Sequence, residues 1–321
     1  MAEIAGLVFP LFGLILLGYL TARITKQPVE AMGWLNTFII YVSLPALFFK
    51  LLSKTPIEKL ASWDFISVNI STTFVIFLMV FGIARLVVRA TTPEATIQGL
   101  AGAYGNIGYM GPGIAILTFG EQAAVPLALI FCFENVLHFI VAPTMMAISS
   151  GKEQHVLRLM LEIAKKVFLH PFIIATIVGV AAAIFEFTPP VPIARLIDYL
   201  AQAAAPCALF AMGVTLALRP LKRIPVELSF IVPFNLVVHP LLMYLTLSWF
   251  GDFDPIWVYT AVLLAALPTA TNVFVIAQQY GVWTERASAT ILLTTMLSVL
   301  TVTLLLYAIT TGLMPADLFV G

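Results

Sequence analysis

Residues 102–113 read GAYGNIGYMGPG and lie in the middle of an otherwise apolar segment. Five glycines, one proline and one asparagine in this short stretch are not compatible with a continuous helix. A second interruption, LPTATNV at residues 267–273, lies halfway along another apolar segment. The sequence therefore predicts two long hydrophobic helices, each broken near its centre.

The composition around these breaks is that of a membrane protein. The chain has 321 residues, of which 61% are hydrophobic and 10% charged, and its mean hydropathy is +1.04. Charged and Pro/Gly-rich breaks divide it into apolar segments of about the length that spans a bilayer. We place ten spans at residues 3–23, 32–53, 64–88, 94–119, 122–148, 157–185, 192–218, 226–249, 256–279 and 283–311. The predicted fold class is all-α integral membrane, and the zero net charge suggests no nucleic-acid partner.

A constant offset relates the two halves of the chain. A shift of the first half by 161 residues places Pro10 on Pro171, Gly18 on Gly179, Pro45 on Pro206 and Gly120 on Gly281. We therefore predict two repeats, residues 1–156 and 157–321. The same offset pairs the two broken spans, four and nine.

The distribution of Lys and Arg predicts the orientation in the membrane. With the N-terminus outside, the cytoplasmic loops hold twelve basic residues and the outside loops hold four. The outside four are Lys50, Lys54, Lys59 and Arg195. This excess predicts that both termini lie outside. Because each repeat has five spans, an odd number, the second repeat is expected to insert upside down relative to the first.

The two breaks predict a binding site for an anion. Antiparallel spans that are broken at the same depth are expected to cross, and a new half-helix begins after each break. The N-terminus of such a half-helix carries roughly half a positive charge and free N–H groups. Asn106 and Asn272 add amide donors, and neither break contains Asp or Glu to balance a cation. The alternative interpretation is a pair of proline kinks that serve packing alone.

Four motifs together resemble those of the auxin efflux carrier (PIN-like) family. They are LPALFF at residues 44–49, GNIGYMGP at 105–112, PCALFAMG at 206–213, and PTATN at 268–272 followed by AQQYG at 277–281. The resemblance implies ten transmembrane helices in two inverted five-helix repeats, with helices 4 and 9 broken and crossed. This architecture is similar to that of bile-acid sodium symporters and sodium–proton antiporters. It also implies a scaffold of helices 1, 2, 6 and 7, a transport domain of helices 3–5 and 8–10, and a homodimer formed through the scaffold.

The resemblance further implies transport of an organic acid. The short central loop at residues 149–156 is typical of compact prokaryotic members, some of which are labelled malonate or malate carriers, so the bacterial inner (plasma) membrane is the expected location. The breaks and motifs together give the predicted substrate-binding residues: Asn106, Ile107, Gly108, Tyr109, Gly111, Pro112, Pro268, Thr269, Thr271, Asn272, Ser43 and Pro45.

Polar residues inside span five form a second candidate site. Glu134 and His138 are four residues apart and therefore share one helix face. A carboxylate inside a membrane is costly and usually functional, and His titrates near neutral pH, so the pair is a candidate for proton coupling. The alternative is a structural hydrogen-bonded pair. His239 and His170 each precede a proline, and we interpret them as a kink residue and an interfacial residue.

The predicted function is a secondary active carrier of a small organic anion, a mono- or dicarboxylate, that works by elevator-type alternating access. The sequence contains no Walker A motif, metal-ligand cluster or nucleophile motif, so we expect no cofactor, no metal and no enzymatic activity. The expected partners are the anion, membrane lipids and a second copy of the chain. Asn69 and Asn235 are interpreted as interhelical hydrogen-bond donors.

Three alternatives remain open at this stage. A sodium-coupled organic anion symporter would use unwound carbonyl groups near Pro112 or Pro268 as sodium ligands. An intramembrane enzyme would use Glu134 and His138 as an acid–base pair. A membrane-embedded sensor would bind the anion without moving it. The sequence does not choose among organic acids, or among coupling to protons, to sodium or to the membrane potential.

Overall fold

A computed structural model describes residues 2–150, 156–218 and 225–318 of the chain. Throughout these residues the regular structure is helical, apart from one isolated β-bridge. Four of the basic residues counted for the orientation, Lys152, Arg219, Lys222 and Arg223, lie outside the described residues, as do residues 151–155 of the central loop.

The helices are numbered in chain order. They are α1 Ala2–Thr25, α2 Gly33–Phe38, α3 Leu44–Leu52, α4 Ile57–Leu60, α5 Trp63–Leu86, α6 Thr92–Ala103, α7 Gly111–Phe119, α8 Ala124–Ser150, α9 Val156–Phe168, α10 Pro171–Ile184, α11 Val191–Leu218, α12 Leu228–Pro233, α13 His239–Phe250, α14 Pro255–Ala265, α15 Thr271–Tyr280 and α16 Thr284–Thr310.

Six helical segments in the described part of the chain are long and apolar enough to cross a membrane. They are Glu30–Leu52, Glu58–Leu86, Gly111–Ser149, Val191–Leu218, Leu228–Phe250 and Thr284–Thr310. Three shorter apolar helices are Phe9–Thr25, Pro171–Ile184 and Pro255–Ala265. The predicted spans four and nine are each divided into helices of only 9 to 12 residues, too short to cross a bilayer alone. The ten-span inverted repeat therefore stays a prediction.

The chain forms two compact units. Unit 1 comprises the described residues within Met1–Ser62, Gly108–Cys132 and Phe168–Pro220. Unit 2 comprises those within Trp63–Ile107, Phe133–Val167 and Leu221–Gly321. The predicted repeats, 1–156 and 157–321, cut across both units, since each unit draws on both halves of the sequence.

Close helix packing organises unit 1. A Cβ atom at Gly18 of α1 would clash with the carbonyl oxygen of Phe210 on α11, and one at Gly213 would clash with the carbonyl oxygen of Ile15. Small residues at such positions let two membrane helices approach with no side chain between their backbones. At the surface of the same unit, Lys50 Nζ of α3 lies 2.8 Å from Asp198 Oδ1 of α11.

Glycines also bring α5 and α6 together in unit 2. A Cβ atom at Gly99 would lie 2.8 Å from Phe77 Cδ2, and one at Gly102 would lie 2.7 Å from Val80 Cγ2. Two of the glycines around the first break therefore have a packing role on α6 and its neighbour. The helix begins with a capping box, in which Thr91 accepts from the Glu94 N–H and the Glu94 carboxylate accepts from Thr91.

Two helices contain a π-helical turn, at Ile39–Ser43 and Phe234–Val238. In both cases a proline lies two residues beyond the turn, Pro45 in one helix and Pro240 in the other. Proline has no N–H and its ring collides with the carbonyl group four residues earlier, which in each helix belongs to the π turn. The wider turn removes this collision and allows the helix to continue.

The predicted span six, 157–185, consists of two helices rather than one. Helix α9 ends at Phe168 and α10 begins at Pro171. His170 has φ −70° and ψ 129°, an extended conformation, because the proline ring disfavours a helical residue before it. Of the two helices in span six, only α10 is apolar.

Helix α9 is amphipathic. Glu162 and Lys165 are three positions apart and share one side of the helix, and in the sequence Arg158 and Lys166 continue this spacing. Met160, on the opposite side of the helix from Glu162 and Lys165, has an exposed side chain. With 13 residues, α9 is too short to cross a bilayer.

Candidate functional site

Backbone hydrogen bonds in unit 2 join the two predicted breaks. Gly105, just after α6, and Thr269, just before α15, form an isolated antiparallel β-bridge. The Asn106 N–H donates to the Pro268 carbonyl oxygen at 2.7 Å, and the Ala270 N–H donates to the Tyr104 carbonyl oxygen at 2.8 Å. The bridge therefore satisfies backbone groups that helix breaking has freed inside an apolar environment.

The side chain of Thr269 closes the end of α6. Its hydroxyl donates to the Ala101 carbonyl oxygen at 2.7 Å, one of the carbonyl groups that a helix C-terminus leaves without an intrahelical partner. The Thr269 N–H in turn donates to Thr294 Oγ1 of α16 at 3.2 Å. Thr269 is fully buried, so this predicted site residue acts here as part of the framework of the break.

The two predicted asparagines lie in this region. Asn106 is buried next to the bridge, and Asn272, half-buried, lies in the first turn of α15. Asn272 Nδ2 donates to the Tyr104 hydroxyl at 2.9 Å, and that hydroxyl donates to Asn135 Oδ1 of α8 at 2.5 Å. A phenol can donate one hydrogen bond and accept another, so Tyr104 connects Asn272 with Asn135.

The start of α15 presents backbone donors beside these amides. The residue before it, Ala270, makes no side-chain cap hydrogen bond, and Thr271 begins the helix. The N–H groups of a first helical turn have no intrahelical partners and carry partial positive charge. Residues 267–273 contain no Asp, Glu, Lys or Arg. This region can thus bind an anion through neutral donors alone.

Glu134 and His138 lie on α8, also in unit 2, and both are buried. His138 Nδ1 lies 2.6 Å from the backbone carbonyl oxygen of Glu134, so the contact between the two residues is to the main chain. The His138 ring stacks on that of Tyr104, with a centroid distance of 3.9 Å and an interplanar angle of 4°. The Glu134 carboxylate instead accepts from the Thr73 hydroxyl at 2.8 Å.

The remaining predicted site residues belong to other places in the fold. Ile107 is buried at the end of the first break in unit 2. Unit 1 holds Gly108, Tyr109, Gly111 and Pro112 at the start of α7, and Ser43 and Pro45 at the start of α3. Helix α7 begins without a side-chain cap from Met110, and its Gly113 faces Leu11, Ala205 and Leu209 of the same unit.

Sequence reasoning gave little weight to three residues that the structure places at the polar core of unit 2. Tyr104 and Thr73 had no role, and His239 was interpreted as a kink residue. The hydroxyl of Tyr104 reaches Asn272, which is 168 positions away in sequence. A helical period cannot reveal such a contact. The sequence contains only a weak indication of a role for Tyr104, namely its position inside the first break, next to Gly105.

Other expectations have simple outcomes. Asn235 Nδ2 lies 3.5 Å from the Gly102 carbonyl oxygen, a long interhelical hydrogen bond of the kind expected. Both amide atoms of Asn69 are buried without a hydrogen-bond partner among the described residues. No group of three or more His, Cys, Asp or Glu residues that could hold a metal occurs in the described part of the chain.

Comparison with known proteins gives consistent results. A family model described as "Membrane transport protein" matches residues 4–306. A Rhizobium meliloti protein named "Putative malonate transporter" is 67% identical over 99% of this chain and 100% of its own length. An "Uncharacterized transporter" of Methanothermobacter thermautotrophicus is 25% identical over 91% of this chain and 93% of its own length. An Escherichia coli K12 protein, "Uncharacterized transporter YfdV", is 23% identical over 94% of this chain and 96% of its own length.

The family match covers nearly the whole chain, and the relatives that carry a name are transporters rather than enzymes. The apolar helices described above agree with an integral membrane location. The motifs in and around the helix breaks led to the same family. This chain is therefore an integral membrane protein and a member of the membrane transport protein family, the family of the auxin efflux carriers.

Proposed function

We propose that this protein is a secondary active carrier of a small dicarboxylate of the malonate class. The observation that carries the proposal is the pair of helix breaks in unit 2, where the uncapped start of α15 and the amides of Asn106 and Asn272 offer several donors without any fixed charge. A carboxylate can accept hydrogen bonds from N–H groups at a helix start and from side-chain amides. Malonate enters the proposal through the relative that is 67% identical and bears its name.

Neutral donors suit a carrier better than a fixed cation would. A Lys or Arg in this position would have to stay buried and unpaired after the anion leaves, which is costly inside a membrane. Backbone and amide dipoles can bind the anion and release it again without leaving a bare charge behind. The free energy of binding is then modest, and modest binding allows a carrier to release its substrate on the opposite side of the membrane.

The mechanism we propose is elevator-type alternating access. In this mechanism, unit 1 supplies the scaffold, which the sequence predicts from helices 1, 2, 6 and 7. Unit 2 supplies the transport domain. Support comes from the division of the chain, since α1–α4, α10 and α11 all belong to unit 1, while α5, α6 and α12–α16 belong to unit 2. One difference is that residues 108–132 belong to unit 1. Two inverted repeats, a homodimer through the scaffold, and the bacterial inner membrane complete the proposal.

A sodium-coupled symporter is the second candidate. It was expected to use free carbonyl groups near Pro112 or Pro268. The Pro268 carbonyl oxygen accepts the Asn106 N–H at 2.7 Å, so one of its two lone pairs is already in use. A carbonyl oxygen that is engaged in this way is a weaker reason to place sodium there, and we therefore rank this candidate below the first.

The test is a flux assay on the purified protein in liposomes. We expect saturable uptake of radiolabelled malonate and exchange of internal for external malonate. Replacement of sodium by choline should leave the rate unchanged, whereas a sodium requirement would favour the symporter. Unlabelled malate, succinate, pyruvate and indole-3-acetate serve as competitors, and malonate should compete best. Binding of malonate without flux would identify a sensor, and neither binding nor flux of any acid in the panel would refute the proposed function.

A further inference from the structure

The carboxylate of Glu134 is part of a three-residue polar cluster in unit 2. Thr73 Oγ1 of α5 lies 2.8 Å from Glu134 Oε1 and 3.3 Å from His239 Nε2 of α13. Thr73 is 0%, His239 1% and Glu134 3% exposed, so the protein shields the cluster from water and lipid alike. A single hydroxyl group thus bridges a carboxyl group and an imidazole from two other helices.

We infer that Glu134, Thr73 and His239 form the proton-binding site of the carrier, and that a proton bound there crosses the membrane together with the organic anion. This inference rests on the proposed function and extends it by naming the coupling ion. It differs from the expectation based on spacing, which paired Glu134 with His138, because His138 contacts the main chain of Glu134 and not its carboxylate.

The bridging hydroxyl gives the cluster two hydrogen-bonded arrangements. When Glu134 is ionised, its carboxylate can only accept, so Thr73 donates to Oε1 and the protonated Nε2 of His239 donates to Thr73. When Glu134 carries the proton, its O–H can donate to Thr73, and Thr73 can donate to an unprotonated Nε2. Rotation of one hydroxyl group therefore satisfies both protonation states, and no heavy atom has to move.

Proton movement within the cluster is balanced. Glu134 gives its proton to Thr73 Oγ1, and the hydroxyl proton of Thr73 passes to His239 Nε2. One O–H bond on Thr73 breaks as another forms, and the products are a carboxylate and an imidazolium. The reverse step restores two neutral groups. His239 Nδ1 is buried without a hydrogen-bond partner among the described residues. In this transfer Nδ1 carries its hydrogen both before and after, so it does not distinguish the two states. A buried carboxylate and a buried imidazolium have both lost their hydration, so the buried cluster holds its proton on Glu134.

Local structure fixes His239 in position. The π turn Phe234–Val238 ends at the residue before it, and Pro240 follows it. These two features replace the ordinary turn of the helix at this point, and π turns often mark functional positions. The kink that the sequence predicts at His239-Pro240 therefore coincides with the residue that completes the cluster.

Two further titratable side chains face the cluster. Tyr104 interacts electrostatically with Glu134, and His138 does so with His239. Tyr104 and His138 stack on each other, and the Tyr104 hydroxyl links Asn135, the neighbour of Glu134, with Asn272 of the anion site. The proton site and the anion site are thus connected through one short chain of contacts within unit 2, as co-transport requires.

The experiment measures malonate uptake and internal pH together, in liposomes loaded with the pH-sensitive dye pyranine and clamped at zero membrane potential. In the wild type we expect internal acidification during uptake, and a rate that rises about tenfold per unit of falling external pH where protonation is limiting. Thr73→Val, Glu134→Gln and His239→Gln should each flatten this pH profile. Thr73→Ser, which keeps the hydroxyl, should preserve it.

The chain offers a matched control one residue away. Thr72 Oγ1 lies 2.8 Å from Thr246 Oγ1, so this hydroxyl also bridges α5 and α13 but touches neither the carboxyl group nor the imidazole. Thr72→Val should keep the pH profile, as should His170→Gln, which removes a histidine elsewhere. The inference is overturned if wild-type uptake proceeds without internal acidification, or if Thr73→Val retains the wild-type profile.

An infrared measurement that needs no transport tests the proton site independently of the proposed function. The pH-difference infrared spectrum of the protein in detergent should contain a protonated-carboxyl band that disappears in Glu134→Gln. Loss of its hydroxyl partner should shift this band in Thr73→Val and leave it in place in Thr72→Val. If no acid is transported but the band behaves in this way, the proton site stands and the proposed function fails. An unshifted band in Thr73→Val refutes the site.

Discussion

Asn106 and Asn272 are the side chains on which the proposed anion site depends most. Each lies within a few residues of a break, and the bridge between Gly105 and Thr269 holds the two breaks together. An amide contributes a donor to a carboxylate while remaining neutral when the site is empty. This combination is what a membrane carrier needs in order to bind an anion and to return without it.

Removal of either amide should weaken malonate binding. Loss of a hydrogen bond to a charged group costs roughly 1.5–3 kcal/mol, or about ten- to a hundredfold in affinity. Asn106→Ala and Asn272→Ala should each raise the Kd by that factor in a binding titration, with expression preserved. Asn69→Ala is the control, because the Asn69 amide has no hydrogen-bond partner among the described residues and lies on α5. Wild-type affinity in both site variants would contradict this location.

Tyr104 should act through its hydroxyl. Tyr104→Phe keeps the ring that stacks on His138 but removes the acceptor for Asn272 and the donor for Asn135. We expect an increase in the Kd for malonate and a loss of stability of about 1–3 kcal/mol, since the buried Asn135 amide and the half-buried Asn272 amide each lose a partner. In a double-mutant cycle with Asn272→Ala the effects on affinity should be less than additive. Strict additivity would mean that the Tyr104–Asn272 bond has no part in binding.

Single residues show which features the sequence could and could not predict. Asn106, Asn272 and Glu134 stood out because a polar residue in an apolar segment is visible in sequence alone. Thr73 and Tyr104 did not. The hydroxyl of a threonine on a membrane helix usually donates to the backbone of its own helix, and a tyrosine is usually interpreted as a lipid-facing or core residue. Their partners lie 61 and 168 positions away, and only the tertiary fold brings them together.

The helices of unit 1 depend on close backbone contact. Gly18 and Gly213 lie where α1 and α11 meet, and at each a side chain would collide with a carbonyl oxygen of the partner helix. Gly18→Ala and Gly213→Ala should therefore each destabilise the protein by about 1–3 kcal/mol, the usual cost of overpacking. Thermal unfolding in detergent measures this. Gly13→Ala, also on α1, is the control, since its Cβ would meet only Phe9 Cε1 at 4.0 Å.

Helix α9 shows how an apolar run can mislead a count of spans. The sequence predicted α9 and α10 as one span because apolar residues are in the majority in both, and the boundary between them is set by His170-Pro171. Its length and its one charged side indicate a helix that lies along the membrane surface. The exposed apolar side chain of Met160, opposite the charged side, would then face the lipid.

Cysteine scanning in membranes tests this placement of α9. A cysteine in place of Lys165, which is exposed and on the charged side, should react with a water-soluble maleimide. A cysteine in place of Met160, on the opposite side, should be protected in the membrane and become reactive in mild detergent. The free cysteines Cys132 and Cys207 must first be replaced by Ala or Ser. Equal reactivity at both positions in membranes would place α9 in water instead.

At the scale of the whole molecule, the helix bounds repeat with the offset found in the sequence. Shifted by 161 residues, α6 (Thr92–Ala103) falls on α14 (Pro255–Ala265) within two residues at either end, and α7 (Gly111–Phe119) falls on α15 (Thr271–Tyr280) within one. Both α7 and α15 end at a glycine with positive φ, Gly120 at 74° and Gly281 at 67°. Such a cap needs a residue without a Cβ, which explains why both halves keep glycine there. These matches support the predicted repeat.

The distribution of basic residues predicts the orientation of the chain in the membrane. An odd number of spans in each repeat would place the two broken helices in opposite directions in the membrane. The twelve-to-four distribution of basic residues then predicts both termini outside.

Lys222→Cys, in a cysteine-free background, should be labelled by an impermeant maleimide only in inside-out vesicles. Lys54→Cys should be labelled by the same reagent only in right-side-out spheroplasts, that is, cells whose outer membrane has been removed. Labelling of Lys222→Cys from outside would reverse the orientation, and labelling of both positions from the same side would exclude an odd number of spans between them.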